Sequence, residues 1–100
     1  QDLIRIKIEK DIFSTEYEVK LSNDIELKFD GKGNWEKVDC GRRSVPEGLL
    51  PAFAKQYVKS NFPNERITEV KREGTRTKIE LSNDVSIKFN KHGKVIGMDD

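Results

Sequence analysis

Apolar and polar residues alternate with a period of two over most of this chain. Ile4, Ile6 and Ile8 are interleaved with Arg5, Lys7 and Glu9; Tyr17, Val19 and Leu21 with Glu18 and Lys20; Ile25, Leu27 and Phe29 with Glu26 and Lys28. The rhythm returns with Thr77, Ile79 and Leu81 around Lys78 and Glu80, and with Val85, Ile87 and Phe89 around Ser86 and Lys88. Successive side chains of a strand point to opposite faces, so this pattern predicts antiparallel strands with one apolar and one charged face. Ser22-Asn23-Asp24 and Ser82-Asn83-Asp84 offer Asn and Asp where a tight hairpin needs positive φ, and Gly33 and Gly93 do so in the next pair of turns.

One segment departs from period two. Leu50, Phe53, Ala54, Tyr57, Val58 and Phe62 recur at helical spacing, with Lys55, Gln56, Lys59 and Ser60 opposite them. A helix over about 51–61 is expected, with its apolar stripe against a core rather than a membrane or a cofactor. Ser44-Val45-Pro46-Glu47 resembles a capping box for the turn before it, and Pro51 suits a first helical turn. Phe62-Pro63 stops the helix and leads into a further strand.

The strands fall into an internal repeat. Tyr17 to Asp39 aligns with Thr77 to Asp99 at an offset of 60, with eight of 23 positions identical, including Leu-Ser-Asn-Asp at 21–24 and 81–84. Another alternating segment precedes each copy, Leu3 to Ile12 and Arg66 to Glu73, so each unit reads as four strands. The expected architecture is α+β: a single domain over 1–100, with repeat unit one at 3–40 made of strands only. Repeat unit two, at 44–99, has a helix followed by four strands. The first unit then lacks the helix that the second possesses. An additional helix before residue 1, or a homodimer, is expected to cover the apolar patch of Ile4, Ile6, Ile8, Tyr17, Val19 and Leu27.

Composition narrows the function. The chain has 100 residues, of which 27 are Leu, Ile, Val or Phe, enough for a folded core. Nineteen Lys and Arg against 18 Asp and Glu leave a net charge of +1, without the basic excess of a nucleic-acid binder. Apolar runs are too short for membrane insertion. Cys40 is the one cysteine and His92 the one histidine, 52 positions apart, so neither a disulfide within the chain nor a Cys/His catalytic or metal motif is expected. Asp30 to Asn34 has the look of a calcium loop, but Lys32 and Gly41 stand where an EF-hand needs ligands, so the segment reads as a hairpin turn. No cofactor and no metal are expected.

Several stretches in combination resemble the PepSY-like periplasmic proteins, which are similar in fold to the β-lactamase-inhibitor protein. They are Leu50-Pro51 and Phe62-Pro63 around the helix, the Leu-Ser-Asn turns, Lys28-Phe29-Asp30 and Gly33-Asn34-Trp35. The resemblance covers residues 3 to 99 and implies tandem units sharing one antiparallel sheet, no catalysis, and a protein-binding, inhibitor-like role. It also implies a periplasmic or secreted location after signal-peptide removal; the opening Gln1 fits that processing and fits an artificially trimmed terminus equally. An assembly module of a bacterial envelope complex is the alternative. The partner expected is another protein, neither nucleic acid nor membrane.

Trp35 is the leading candidate contact. Unless a bulge intervenes, it has the opposite parity to Val38 and shares the charged face with Lys37, where a rigid aromatic makes a binding hot spot; its bland role would be to fold under a loop or cap the sheet edge. Lys20, Lys28 and Lys37 on that face, and the hairpin tip at Asn23 and Asp24, complete the candidate protein-binding set.

Overall fold

The computed structural model describes residues 3–10, 15–21 and 24–100, with side chains at 3–5 and 9–10 excepted. Eight strands form one antiparallel sheet in sequence order. They are β1 (Leu3–Lys10), β2 (Thr15–Leu21), β3 (Glu26–Asp30), β4 (Trp35–Asp39), β5 (Ile67–Glu73), β6 (Arg76–Leu81), β7 (Ser86–Phe89) and β8 (Val95–Asp99). The β4–β5 connection carries a 3₁₀ turn at Glu47–Leu49 and the helix α1 (Ala52–Asn61). The α+β architecture read from the sequence is thus the one observed.

The two halves of the sheet share their irregularities. In the first half the register shifts between Leu3 and Arg5 and between Lys28 and Phe29. In the second it shifts between Ile67 and Glu69 and between Lys88 and Phe89. The hairpin loops correspond as well. The Asp30 carboxylate accepts the Lys32 and Asn34 backbone N–H groups at 2.9 Å each, and the Asn90 side chain accepts those of His92 and Lys94 at 2.9 and 3.0 Å. The Asn34 amide bond in particular holds the Asp30 carboxyl below the usual aspartate range. The oxygens of Asp30 are therefore engaged in closing a turn. In the β6–β7 turn it is Asp84, not Asn83, that adopts positive φ, at 70°, and Asp24 does the same at 65° before β3. Asn23 lies outside the described residues.

The helix sits on the apolar face above β4 to β7. Ala54 and Val58 are buried, and Phe53 and Tyr57 close over Phe89, with ring centroids 5.2 and 5.7 Å from it. Phe89, Ile79, Ile87 and Val70 are wholly shielded from solvent, whereas Ile6 on β1 is 56% exposed and Met98 on β8 is 49% exposed. The core is therefore central, and the apolar face runs out from under the helix at both edges. α1 itself has no side-chain N-cap and no acid in its first turn. A ten-residue helix of this kind is marginal alone, so packing on the sheet holds it.

Two local expectations differ from what is found. Ser44 caps nothing: Pro46 occupies the N-cap of the 3₁₀ turn without a side-chain hydrogen bond. Pro51 stands at the N-cap of α1 in extended conformation rather than within the first turn. The Pro51 carbonyl accepts the Ala54 and Lys55 backbone N–H groups at 3.1 and 3.2 Å, so the helix opens on backbone hydrogen bonds without a capping side chain.

The pair Gly33 and Gly93 measures the helix contact. Both have positive φ, 88° and 81°, but a Cβ at Gly33 would meet nothing within 4 Å, while one at Gly93 would stand 2.8 Å from the Phe53 ring. Gly33→Ala should cost about 1–2 kcal/mol for the left-handed backbone alone. Gly93→Ala should cost more, because the Phe53 ring must also move, and chemical denaturation of the two variants should separate them by roughly 1–3 kcal/mol.

Candidate functional site

Among the described residues no element packs on the face of the sheet opposite α1, and the charges of that face are sorted into rows. Because β3 to β7 pair without a shift in this region, equivalent side chains stand directly opposite one another. Lys28 faces Lys37, Lys37 faces Lys71, Lys71 faces Lys78 and Lys78 faces Lys88. At about 4.8 Å per strand these five lysines span roughly 19 Å across the sheet. One step along the strands lies a row of opposite sign, in which Glu26 faces Asp39, Asp39 faces Glu69 and Glu69 faces Glu80. Like charges directly opposite destabilise a sheet, so each row is tolerated because of its neighbour.

Only part of the lysine row is neutralised by direct pairing. Lys37 Nζ is 3.7 Å from Glu69 Oε1, and Lys28 Nζ is 3.8 Å from Glu16 Oε2. No carboxylate lies within ion-pair distance of Lys71, Lys78 or Lys88 among the described residues. In the acidic row, Glu69 is half-buried. Its carboxyl titrates above the usual glutamate range, chiefly through loss of hydration and then through its hydrogen bond with Glu80; Lys37 opposes the shift.

The residues singled out from the sequence separate onto two faces. Lys28 and Lys37 are in the lysine row, and Lys20 lies on the same face, between Arg5 and Glu26 at the flank of the acidic row. Asp24 is at the turn before β3, at one end of the sheet. Trp35 is not on the charged face. The shift between Lys28 and Phe29 makes β4 bulge, so Lys37 faces Lys28 while Trp35 faces Phe29 and turns to the helix side. There it packs against the core beside Leu49, Leu50 and Pro51, with the Arg72 guanidinium 3.8 Å from its ring centre. Such a stack contributes about 0.5–1 kcal/mol at a partly exposed site.

The sequence pattern puts Lys78 and Lys88 on the charged face, but it does not single out Lys71, Lys78 or Lys88 as candidate contacts. Their charge and parity were visible, but their alignment with Lys28 and Lys37 follows from a register that pairs strands far apart in sequence. Neither of the two reactive side chains belongs to the charged rows. Cys40 is buried and its thiol is pushed up by loss of hydration and by the adjacent Asp39, and His92 is exposed in the β7–β8 turn. Among the described residues no group of His, Cys, Asp and Glu is placed to hold a metal ion, and no helix is long and apolar enough to cross a membrane.

An eight-stranded antiparallel sheet carrying a helix on one face and a charged, uncovered surface on the other defines the class. Residues 15–97 match the family described as "Putative beta-lactamase-inhibitor-like, PepSY-like", and an overlapping match covers 4–34. The chain belongs to this PepSY-like family. Among solved structures it is similar to a protein of Bacteroides vulgatus described as "a putative periplasmic protein of unknown function". That match has 34% identity and a TM-score of 0.92, over 99% of this chain and 79% of that one. A Bacteroides thetaiotaomicron protein described as "a putative calcium-regulated periplasmic protein" matches with 34% identity and a TM-score of 0.94, over 99% and 78% of the two chains. A further Bacteroides vulgatus protein, described as a "putative periplasmic protein", matches with 33% identity and a TM-score of 0.94, over 99% and 78%. None of the curated proteins compared with the chain matches it.

The raised Glu69 carboxyl sets a pH dependence. A carboxyl that titrates higher in the folded than in the unfolded chain favours folding below the ordinary glutamate value of about 4.3, and that contribution is lost as pH rises through the folded value. Glu69→Gln should therefore raise the melting temperature at pH 7, and the advantage should shrink as the pH is lowered to about 4. Thermal unfolding followed by circular dichroism at both pH values checks the sign.

Proposed function

We propose that this chain is a non-catalytic periplasmic protein-binding module, exported with removal of a signal peptide, whose docking surface is the helix-free face of the sheet. The observation that carries the reading is the uncovered lysine row at Lys28, Lys37, Lys71, Lys78 and Lys88 beside the acidic row at Glu26, Asp39, Glu69 and Glu80. Alternating the signs across the strands would stabilise the sheet; grouping them costs stability and creates a patterned field. Departures from local stability of this kind concentrate at functional surfaces. A partner with an acidic row next to a basic one would be steered to this face and held in one orientation.

The inhibitor-like family description and the periplasmic relatives support a protein partner in that compartment. Inhibition of an enzyme and assembly within an envelope complex both use such a face, and a panel of purified β-lactamases and peptidases distinguishes them. Submicromolar inhibition identifies the first.

Charge reversal tests the surface. The immobilised chain is exposed to periplasmic extract of its source bacterium, alongside a Lys28→Glu/Lys37→Glu variant and a Lys55→Glu control on the solvent side of α1. A partner retained by the parent and the control should be lost from the double variant, and its retention should fall with added salt. Equal retention by all three chains would remove the lysine face from the reading.

A further inference from the structure

The two edges of the sheet are built differently. On β1, Lys7 stands between the exposed Ile6 and Ile8, a charge of the kind that guards a natural edge against added strands. β8 is Val95-Ile96-Gly97-Met98-Asp99; it contains neither lysine, arginine nor proline, and it pairs only with β7. All five of its residues are exposed, with Val95 at 36%, Ile96 at 46% and Met98 at 49%. Its register shift lies at the Val95 end, leaving Gly97 to Asp99 paired in regular order with Lys88, Ile87 and Ser86.

The surroundings of this edge differ between its two sides. On the helix side, Met98 stands opposite Ile87 and Val95 opposite Phe89, so both continue the core outward. On the other side is an open concavity of about 630 Å³ whose polar lining is Arg76, Lys78, Ser86, Lys88 and Asp99, with Gly97 between them and with Ile96 and Met98 along its β8 rim. Gly97 faces Lys88, where the first half of the sheet has Lys37 facing Lys28, and the missing side chain leaves the path to Lys88 open. Ser86 sits where the acidic row would place another carboxylate beside Lys88. Neither Lys78 nor Lys88 has an ion-pair partner within reach among the described residues, while Asp99 bounds the cationic patch one row further on.

We infer that β8 is an acceptor edge for an extended segment of a protein partner, in which acidic and apolar residues alternate. Its backbone would add a ninth strand. Its acidic side chains would enter the concavity toward Lys88, Lys78 and Arg76, and its apolar ones would cover Val95 and Met98. Main-chain hydrogen bonds supply affinity in this mode of recognition, and the side chains of alternating parity supply selectivity. The inference deepens the protein-binding reading and rests on it, but it places the contact at the edge rather than at the Lys28–Lys37 centre.

A capped heptapeptide of alternating glutamate and valine is the probe, followed by anisotropy of a fluorescent label and by amide shifts in NMR spectra. Saturable binding should perturb the amides of 95–99 and of Lys88. It should weaken about tenfold in Lys88→Glu and in Met98→Lys, which puts a charge on the apolar side of the edge. A peptide with lysine in place of glutamate should not bind. Equal binding of both peptides, or shifts confined to other strands, would overturn the inference. So would a doubled mass in light scattering that Met98→Lys returns to the monomer, since a second copy would then be the occupant. If the glutamate peptide fails to bind while partner capture still depends on Lys28 and Lys37, the edge is excluded and the central docking face stands.

Discussion

The closure of Phe53 and Tyr57 over Phe89 is the contact on which the rest of the molecule depends. It joins α1 to the sheet at a fully buried ring, and Gly93 makes room for it in the adjacent turn. A single ten-residue helix covers only the middle of eight strands. Everything else about the surface follows from that geometry: a dry centre at Val70, Ile79 and Ile87, and apolar margins at Ile6, Ile8, Val95 and Met98 that remain in contact with water.

The uncovered face is governed by electrostatics instead. Long side chains lying along a sheet shield one another, which is why Lys37 and Glu69 retain only 23% and 22% side-chain exposure on a surface with no helix above it. In that partly dehydrated setting Glu69 resists ionisation despite the ammonium beside it. The acidic row is therefore not simply a mirror of the lysine row. Glu69 gives up its charge at a higher pH than an ordinary glutamate does, so the field over its part of the face turns more positive as pH falls.

Trp35 shows how far parity alone can carry a reading. Strict alternation from Val38 assigns it to the charged face, and one extra residue in β4 reverses that assignment. The equivalent shift at β8 turns Val95 to the helix side opposite Phe89. Both bulges lie just beyond a Lys-Phe pair and a glycine turn, so the repeated sequence carries a repeated irregularity that no hydrophobic pattern displays. The Arg72 stack then occupies the tryptophan within the fold, under the 3₁₀ turn, and not on the face where a sequence reading looks for a contact.

Strand and helix identities, the sorting of apolar from charged faces, and the turn glycines were legible in the sequence because each depends on residues a few positions apart. Period two, helical spacing and positive φ are local consequences of backbone sterics. The lysine and acidic rows were not legible, since they require Lys28, Lys37, Lys71, Lys78 and Lys88 to meet across hairpins and across the helical connection. Register is set by where the turns and bulges fall, and a shift of one residue moves a whole strand to the other face. The difference between the guarded β1 edge and the open β8 edge likewise arises only once the order of the strands is known, because an edge belongs to the sheet and not to any strand's sequence.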